Sequence, residues 1–386
     1  METLKDLNIL HQGYLRSMDG SSWKAGPQLF ELDFLNRLVK IVEKQEQGEY
    51  EFSDGSEFDI NERGHWRHIH GGVIDDRALE HAMCDNVLHK ALEPYISYNN
   101  SASQKGKGVE FARKSFERDL HNYYLRHGNN KGYVGFVDFS KFYDNIRHDV
   151  AYNLISPHID DYSAEILKQI LKHFRVDVSY MSDEQYKGCM AEKFNSIEYY
   201  KNVTKDMQTG EKFMEKSLNI GNQTSQSIGI FVPTPIDNYI TCVRGFRDFG
   251  RYMDDIVLIH ESREYIQETI DGIREQAAKL GIFVNKKKTH ICRMSDTFTY
   301  LQRRYYLDEN GRVVKRIKQK NLTRERRRIK AYKRKVDSGA MPYEDVEQAV
   351  KSWMGEYSKV MSKRQIKNVK KLYMELFGKE LVWKQK

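Results

Sequence analysis

Residues 246–260 read FRDFGRYMDDIVLIH, and within them Asp254 and Asp255 stand side by side. The apolar, β-branched run 256–259 (IVLI) is typical of a buried strand. We therefore predict a β-hairpin that carries the two carboxylates at its tip. Adjacent carboxylates repel each other in a tight turn, and a divalent cation is the natural compensation. A solvated Asp-Asp turn is the simpler alternative.

A third carboxylate follows another apolar stretch. Residues 134–138 read VGFVD, so a short strand delivers Asp138 at its end, ahead of aromatic residues at Phe139, Phe142 and Tyr143. An aspartate that ends one strand and an Asp-Asp hairpin on another can converge on two metal ions. Such a pair suits phosphoryl transfer, with one ion activating a 3′-hydroxyl and the other stabilising the leaving pyrophosphate.

The order of these motifs resembles a known family. A strand ending in Asp138, then the segment 219–226 (NIGNQTSQ), then Tyr-Met-Asp-Asp at 252–255 is similar to the reverse transcriptases across residues 48–310. The resemblance implies an α+β right-hand polymerase with fingers, an antiparallel-sheet palm and a helical thumb. It also implies an RNA-directed DNA polymerase that uses dNTPs, an RNA template and a DNA primer.

The resemblance divides the chain into four parts. Residues 1–47 form an N-terminal helical extension, 48–132 the fingers, 133–305 the palm with a returning fingers segment, and 306–386 a basic helical thumb. Within the palm, the polar stretch 173–216 is an insertion that matches no motif, and its length suggests a peripheral hairpin or flap.

Local patterns predict the elements around the motifs. Apolar residues at helical spacing predict helices over 29–42, 78–92 and 264–280. Alternating residues over 48–74 predict a small antiparallel sheet of three short strands, beginning at Tyr50 to Phe52. Phe283-Val284 is predicted as a further strand.

The resemblance assigns the catalytic centre. Asp138, Asp254 and Asp255 are the catalytic residues, and with the main-chain carbonyl of Phe139 they are implied to bind two Mg²⁺ ions, for which Mn²⁺ can substitute. Asp255 either joins the metal site or supports it. Tyr143 matches an aromatic residue that lies against C2′ of the nucleotide and excludes a 2′-hydroxyl. A role in core packing is the alternative for Tyr143.

A lysine beside the carboxylates is implied to act on the leaving group. Residues 285–289 read NKKKT, and the family has a Lys-Thr pair here whose lysine is a candidate to protonate pyrophosphate. Lys288 matches best, and Lys287 is close behind. A solvated basic turn is the alternative.

Two arginines in the fingers match a triphosphate-binding pattern. Arg67 begins an Arg-x-Ile sequence, and Arg77 follows ten residues later in an Asp-Arg pair. Guanidinium groups suit phosphate oxygens, and the resemblance gives both arginines that role. Pairing of Arg77 with Asp75 or Asp76 is the alternative.

A glycine-rich segment follows in the fingers. Residues 101–108 (SASQKGKG) precede a helix predicted to begin near Val109, and glycines at a helix entrance expose N–H groups to an anion. The segment lacks the Gly-Lys-Ser/Thr end of a P-loop. The resemblance implies that Lys105 and Lys107 contact the template backbone or the triphosphate.

Residues 219–226 indicate a subtype. Most reverse transcriptases carry Gln-Gly here and Ser-Pro four residues after the Gly, whereas this chain has Ile220-Gly221 and Ser225-Gln226. This variant resembles diversity-generating retroelements, which copy an RNA with errors at adenines. Ile220, Gly221 and Gln226 are implied to lie beside the nucleotide, and loss of an amide at 220 should weaken base discrimination. Pro233 predicts that the helix following residues 219–226 is short.

The C-terminal part is strongly basic. Residues 298–305 look like the primer-grip hairpin, and between Arg312 and Lys335 thirteen Lys or Arg residues face one Glu. Positive charge at this density predicts a thumb that binds along the phosphate backbone of the nucleic acid. Arg324, Arg327 and Arg328 fall on roughly one helical face as nucleic-acid contacts. Trp353 is predicted to anchor a closing helical bundle.

Composition agrees with a nucleic-acid partner. The net charge of +8 suggests a polyanion, although solubility alone explains it equally well. Isolated cysteines argue against a zinc ribbon and for a reducing compartment. The absence of a long apolar stretch or signal-peptide core predicts a cytoplasmic protein without a membrane partner.

Three functions remain open on the sequence. The first is mutagenesis of a target gene in a diversity-generating retroelement, with a small accessory protein as a candidate partner. The second is an antiphage defence reverse transcriptase with its own structured non-coding RNA. The third is a catalytically silent RNA-binding scaffold, against which the intact Asp138, Asp254 and Asp255 argue.

Overall fold

The computed structural model describes residues 3–62 and 64–383. Contacts within the chain divide it into two compact units. The first unit consists of Met1–Ala112, Gly135–Leu258 and Glu264–His290. The second consists of Arg113–Val134, Ile259–Arg263 and Ile291–Lys386.

Helices and strands are numbered separately in chain order. The α-helices are α1 Leu7–Ser17, α2 Ala25–Glu31, α3 Phe34–Glu46, α4 Ile74–Met83, α5 His89–Leu92, α6 Val109–His127, α7 Phe142–Asn145, α8 His148–Ile155, α9 Asp161–His173, α10 Asp183–Ala191, α11 Ser196–Asn202, α12 Gln223–Phe231, α13 Thr234–Asn238, α14 Arg263–Lys279, α15 Gln319–Asp337, α16 Tyr343–Tyr357 and α17 Lys363–Phe377. The strands are β1 Ser56–Glu62, β2 His65–Gly71, β3 Tyr133–Val137, β4 Val176–Asp177, β5 Phe213–Met214, β6 Phe249–Tyr252, β7 Asp255–His260, β8 His290–Arg293, β9 Phe298–Tyr300, β10 Arg303–Leu307 and β11 Val313–Ile317. None of the described helices has the length and apolar character needed to cross a lipid bilayer.

The sheet that carries the carboxylates contains β6, β7 and β3 as consecutive neighbours. Strands β6 and β7 pair antiparallel, and Tyr252 lies opposite Asp255, so the predicted hairpin is confirmed. Met253 at its tip has a φ of 55°, in the left-handed region that a two-residue hairpin turn requires. The run 256–259 is buried as predicted, because it lies inside a sheet.

Helix α14 covers this sheet and confirms the helix predicted over 264–280. Its buried side chains include Ile266, Ile270 and Ile273, at the spacing of one helical face. A Cβ on Gly135 of β3 would lie 2.5 Å from the Cγ2 of Ile266. The glycine therefore lets helix and strand approach closely, which fixes the strand that ends at Asp138.

Three local predictions in the first unit are wrong. The helix expected over 29–42 is divided at residues 32–33 into α2 and α3. Tyr50 to Phe52 do not form a strand, because the Tyr50 hydroxyl donates a 2.6 Å hydrogen bond to Asp76 and docks the segment on α4. The region therefore has the two strands β1 and β2 instead of three. Val284 forms only an isolated bridge with Phe139.

One helix differs in detail from expectation, and another ends where it was expected to end. The helix predicted over 78–92 begins at Ile74 and passes through a π-helical stretch at Cys84–Leu88 before α5. Helix α12 ends at Phe231, two residues before Pro233, as the proline predicts.

The polar stretch 173–216 folds around a small core of its own. Strands β4 and β5 pair antiparallel, and α10 and α11 lie between them in sequence. Its buried side chains are Val176, Val178, Met181, Phe194, Tyr199 and Met214.

The second unit contains an antiparallel sheet and a three-helix core. The sheet has the order β11-β10-β9, and the predicted hairpin at 298–305 is present, with Leu301 and Gln302 at positive φ in its turn. Within the basic stretch 312–335, strand β11 precedes helix α15. Helices α15 to α17 contribute buried residues such as Ile329, Val350 and Val369, and Trp353 packs against that core.

Candidate active site

Three carboxylates converge in the first unit. Asp138 follows β3 directly, and Asp254 and Asp255 lie at the turn of the β6–β7 hairpin. Burial and the nearby charge of Asp138 raise the pKa of Asp254 to about 6. Burial and the charge of Asp254 raise the pKa of Asp255 to about 7. Because β3 and β7 are neighbouring strands, the three carboxylates lie near one another, and their repulsion contributes to both shifts.

A loop after α14 binds Asp138 through hydrogen bonds and an ion pair. The Asn285 amide donates a 3.0 Å hydrogen bond to Oδ1 of Asp138, and the Lys288 ammonium lies 2.9 Å from Oδ2. The main-chain N–H of Asn285 also donates to the carbonyl of Asp138, at 2.7 Å. Burial lowers the pKa of Lys288, but the hydrogen bond and charge of Asp138 outweigh it and raise that pKa above its ordinary value. The lysine predicted to act on the leaving group thus reaches the carboxylate centre.

A buried ion pair stabilises the β6–β7 hairpin. Arg251 is fully buried, and its Nε and Nη2 donate to the two carboxylate oxygens of Asp237 at 2.8 and 2.7 Å. Its remaining Nη1 donates to the carbonyl of Met253, at 3.2 Å, directly at the turn. The guanidinium fork therefore ties the carboxylate-bearing turn to α13.

Our sequence reasoning missed this ion pair. A partial signal was present, because Arg251 precedes the predicted hairpin turn and lies two residues after the aromatic Phe249, with which it shares the buried face of β6. A charge in that position requires a partner, but the sequence does not identify Asp237 as the partner.

Tyr143 lies next to the hairpin turn. Its hydroxyl is 3.8 Å from the Sδ of Met253, and a Cβ on Gly229 would lie 3.4 Å from its ring. Burial and the charge of Asp254 raise the pKa of Tyr143 above its ordinary value. The ring is half-buried, whereas Phe139 and Phe142 are buried and stack on each other at 5.9 Å. Tyr143 is therefore the aromatic residue that borders the carboxylates, and Phe142 belongs to the core.

The Ile220-Gly221 segment rests on the end of β2. The carbonyl of Ile220 accepts a 3.2 Å hydrogen bond from the N–H of His70. Gly221 has a φ of 121°, and a Cβ there would meet the carbonyl oxygen of His70 at 3.0 Å. Both observations require glycine at 221. Ile220 itself is half-buried.

Arg67 projects from the same strand toward the carboxylates. Its positive charge lowers the pKa of both Asp254 and Tyr143, although burial dominates in each case. The guanidinium is about half exposed and lies 3.4 Å from Glu62. An exposed pair of this kind is weak, so Arg67 is available to another anion.

A cavity of about 1340 Å³ lies between β2, α4 and the segment 219–230. Of the predicted site residues, it is lined by Arg77, Lys105, Lys107, Gly221 and Gln226. The lining carries charge of both signs, because Glu80, Asp85 and Glu93 stand beside the arginines and lysines.

The basic residues of this cavity differ in the hydrogen bonds that they make within the protein. The Arg77 guanidinium donates to the carbonyl of Ser17, and it pairs with neither of the aspartates that precede it. The Lys107 ammonium donates to Gln104 and to the carbonyls of Tyr98 and Asn100 at 2.9 to 3.1 Å. Those three hydrogen bonds use all the donors of the ammonium, so Lys107 stabilises its own loop. The Ser103 hydroxyl donates to Gln226, whose side chain is exposed.

The predicted thumb arginines lie on α15 in the second unit. Arg324, Arg327 and Arg328 are exposed, while Leu322 and Ile329 of the same helix are buried. Arg328 lies 3.7 Å from Glu325 and stacks over Tyr332. The helix thus presents a basic face opposite an apolar one.

Comparison with known proteins gives the family. The sequence model described as reverse transcriptase (RNA-dependent DNA polymerase) matches residues 57–303. No curated protein gives a comparable match. Among solved structures, the chain is similar to telomerase from Candida albicans in complex with the TWJ fragment of telomeric RNA, with 11% identity and a TM-score of 0.44.

That similarity covers 86% of this chain and 60% of the telomerase chain, so this chain spans less than two thirds of the telomerase's length. The family model, in contrast, covers more than half of this chain and includes all three carboxylates. The chain therefore belongs to the reverse transcriptase family of RNA-dependent DNA polymerases, which are nucleotidyltransferases, and it has the α+β right-hand polymerase fold.

Proposed function

We propose that this chain copies an RNA template into DNA by two-metal nucleotidyl transfer. The observation that carries the proposal is that Asp138, Asp254 and Asp255 lie on neighbouring strands of one sheet, where burial and mutual repulsion raise the pKa of Asp254 and Asp255. A group of carboxylates this crowded is poised to accept cations. Reverse transcriptases generally use divalent metals for this purpose.

The donor atoms fit Mg²⁺. Carboxylate and carbonyl oxygens are the hard ligands that Mg²⁺ prefers, and Mn²⁺ accepts the same set. We assign Asp138, Asp254 and the carbonyl of Phe139 to two ions, with Asp255 joining or supporting them. When bound, the ions supply activation of the primer 3′-hydroxyl and charge stabilisation at the leaving pyrophosphate.

Neighbouring side chains bind and orient the nucleotide in this proposal. The Lys288 ammonium lies 2.9 Å from Oδ2 of Asp138, beside the residues that would hold the ions, and from there it would donate a proton to the leaving pyrophosphate. Arg67 and Arg77 bind the triphosphate through their guanidinium groups. Tyr143 occupies the space that a 2′-hydroxyl would need, which selects deoxynucleotides.

Other residues hold the nucleic acid. Lys105 lines the cavity beside Gly221 and Gln226, where it contacts the template backbone or the triphosphate. The exposed arginines of α15 bind phosphates regardless of sequence. Reversing the charge of Arg324, Arg327 and Arg328 is expected to reduce the slope of log K against log salt by about one unit per lost contact. We retain 48–132 as fingers, 133–305 as palm and 306–386 as thumb.

The biological system we propose is a diversity-generating retroelement with low fidelity at template adenines. Ile220-Gly221 with Ser225-Gln226 supports it, since an isoleucine side chain offers the nucleotide no hydrogen bond. A structured RNA or small accessory protein is the expected partner, and the cytoplasm is the expected location. The alternative is a defence reverse transcriptase with a dedicated non-coding RNA, which has no need for errors at adenine.

The experiment is primer extension on an RNA template with dNTPs and Mg²⁺. Asp254→Asn is expected to abolish extension while RNA binding survives, because the substitution removes a metal ligand but keeps the size of the side chain. Extension at a tenth of the wild-type rate or more would show that the catalytic centre lies elsewhere. Wild-type copying of adenine as faithfully as the other bases would favour the defence alternative.

A further inference from the structure

The hairpin β1–β2 carries histidine and carboxylate side chains on one face. Its register places Glu57 opposite His70 and Asp59 opposite His68. Cross-strand partners, and residues two apart on a strand, point to the same face of the strand pair. The four side chains therefore lie together, and we call them the hairpin cluster.

Distances within the hairpin cluster suit shared coordination. The Nδ1 of His70 lies 3.1 Å from Oε1 of Glu57, and the Nε2 of His68 lies 3.7 Å from Oε2 of the same carboxylate. One ligand atom from each of these three residues lies within 4.8 Å of the other two. Ligands at about 2.1 Å from a tetrahedral ion are about 3.4 Å apart, so modest side-chain rotation would bring all three to one ion.

Asp59 orients one of the imidazoles. Its Oδ1 lies 2.9 Å from the Nδ1 of His68. A metal-binding histidine usually donates its second ring N–H to a carboxylate, which fixes the tautomer and raises the basicity of the coordinating nitrogen. With its proton on Nδ1, His68 carries the lone pair on Nε2, the atom directed toward Glu57.

The surroundings hold the two rings in place. The side chains of His68 and His70 are 11% and 21% exposed, whereas that of Glu57 is 52% exposed. Helix α11 packs against β2 within the same unit. The rings are thus restrained by packing, while the carboxylate side leaves a path for an ion to enter.

We propose that Glu57, His68 and His70 bind a divalent cation of the Zn²⁺ class, with Asp59 orienting His68. Imidazole nitrogen suits Zn²⁺, Ni²⁺ or Cu²⁺, in contrast to the oxygen-only set around Asp138, which suits Mg²⁺. The inference is independent of the proposed polymerase activity.

An ion in this position would couple two parts of the first unit. A two-stranded hairpin is only marginally stable by itself, and a cross-strand ion would stabilise the pairing of β1 with β2. The N–H of His70 bonds to the carbonyl of Ile220, so the ion would also hold β2 against the Ile220-Gly221 segment. Its role is structural, not catalytic.

The test is a Zn²⁺ titration of the chelator-stripped full-length protein against a chromogenic chelator. Millimolar Mg²⁺ is present throughout to occupy the oxygen ligands around Asp138. Wild-type protein is expected to bind one equivalent of Zn²⁺. Glu57→Gln, His68→Gln and His70→Gln are each expected to weaken binding by at least about tenfold.

The control is Glu62→Gln, which removes a carboxylate of the same strand that pairs with Arg67 outside the hairpin cluster. It is expected to leave Zn²⁺ affinity unchanged. Far-UV circular dichroism verifies that each variant is folded. Should a variant unfold, Co²⁺ binding to wild-type protein remains decisive, because tetrahedral coordination gives intense visible absorption and octahedral coordination does not.

Three results would overturn the proposal: no stoichiometric Zn²⁺ binding by wild-type protein, undiminished binding by the variant with both His68→Gln and His70→Gln, or octahedral Co²⁺ alone. Each would leave the hairpin cluster as a set of ion pairs. Asp254→Asn is measured in parallel, and a loss of Zn²⁺ binding there would assign the ion to the active-site carboxylates.

Discussion

Hairpins β1–β2 and β6–β7 are built alike and behave differently. Each is antiparallel, and each carries an arginine and carboxylates. Strand β7 has a buried centre within a larger sheet, whereas every residue of β1 is exposed. Arg251 is fully buried against Asp237, but Arg67 and its partner Glu62 are about half exposed. The same hairpin motif thus has a turn held by a buried ion pair in β6–β7, and a solvent-exposed ion pair in β1–β2.

We infer from this difference that the buried ion pair, and not hairpin formation by itself, fixes the positions of the carboxylates at the β6–β7 turn. A buried ion pair with full hydrogen bonding has only one acceptable geometry, since any displacement leaves an uncompensated charge. An exposed pair can exchange its partner for water at little cost. This contrast supports the proposals that the β6–β7 turn binds the catalytic metal ions and that Arg67 of the β1–β2 hairpin binds the triphosphate.

The largest expected effect is on stability. Arg251→Met is expected to lower the free energy of unfolding by about 3–5 kcal/mol, because Asp237 would remain buried without its partner. Arg67→Met is expected to cost at most about 1 kcal/mol. Urea unfolding of the two variants measures the difference directly. Equal losses would mean that burial does not distinguish the two hairpins.

The double variant Arg251→Met with Asp237→Leu refines that test. Removing both charges leaves no unpaired ion, so stability should recover in part. The hydrogen bond to the carbonyl of Met253 is still lost, so primer extension should remain reduced. Full recovery of extension would show that Arg251 does not position the turn.

A smaller effect is expected at the border of the buried hairpin. Tyr143→Ala removes the ring that contacts Met253, and it should raise ribonucleotide incorporation relative to deoxynucleotide incorporation by about tenfold or more. Phe142→Leu, a change in the neighbouring core residue, is the control and should leave the ratio unchanged. Single-nucleotide extension with matched rNTP and dNTP measures the ratio. A constant ratio in Tyr143→Ala would make Tyr143 a core residue only.

The smallest effect concerns the segment that rests on the exposed hairpin. Ile220→Gln adds an amide that can hydrogen-bond beside the nucleotide, worth on the order of 1–2 kcal/mol of discrimination, or about tenfold in error rate. Misincorporation should fall most opposite template adenine. Ile220→Leu keeps the side chain apolar and should retain wild-type errors. Extension on templates that differ only in the templating base makes the comparison.

Sequence reasoning succeeded where the cause is local. The β6–β7 hairpin, helix α14 and the early end of α12 follow from a β-branched run, a helical stripe and a proline. It failed where neighbours override propensity. The helix expected over 29–42 is interrupted, and Tyr50 docks on Asp76 instead of joining a strand.

From the sequence alone, the order of the motifs at Asp138, 219–226 and 252–255 identified the family by resemblance, and the apolar runs beside the acidic residues predicted the strands that carry the three carboxylates. Only the tertiary structure decided their partners. Lys288 reaches Asp138 across 150 positions, and Arg251 selects Asp237 among many acidic residues. It also gathered Glu57, His68 and His70 on one face, through a register that composition does not encode. Such contacts depend on how the chain closes loops and buries charge, and that is a property of the whole fold.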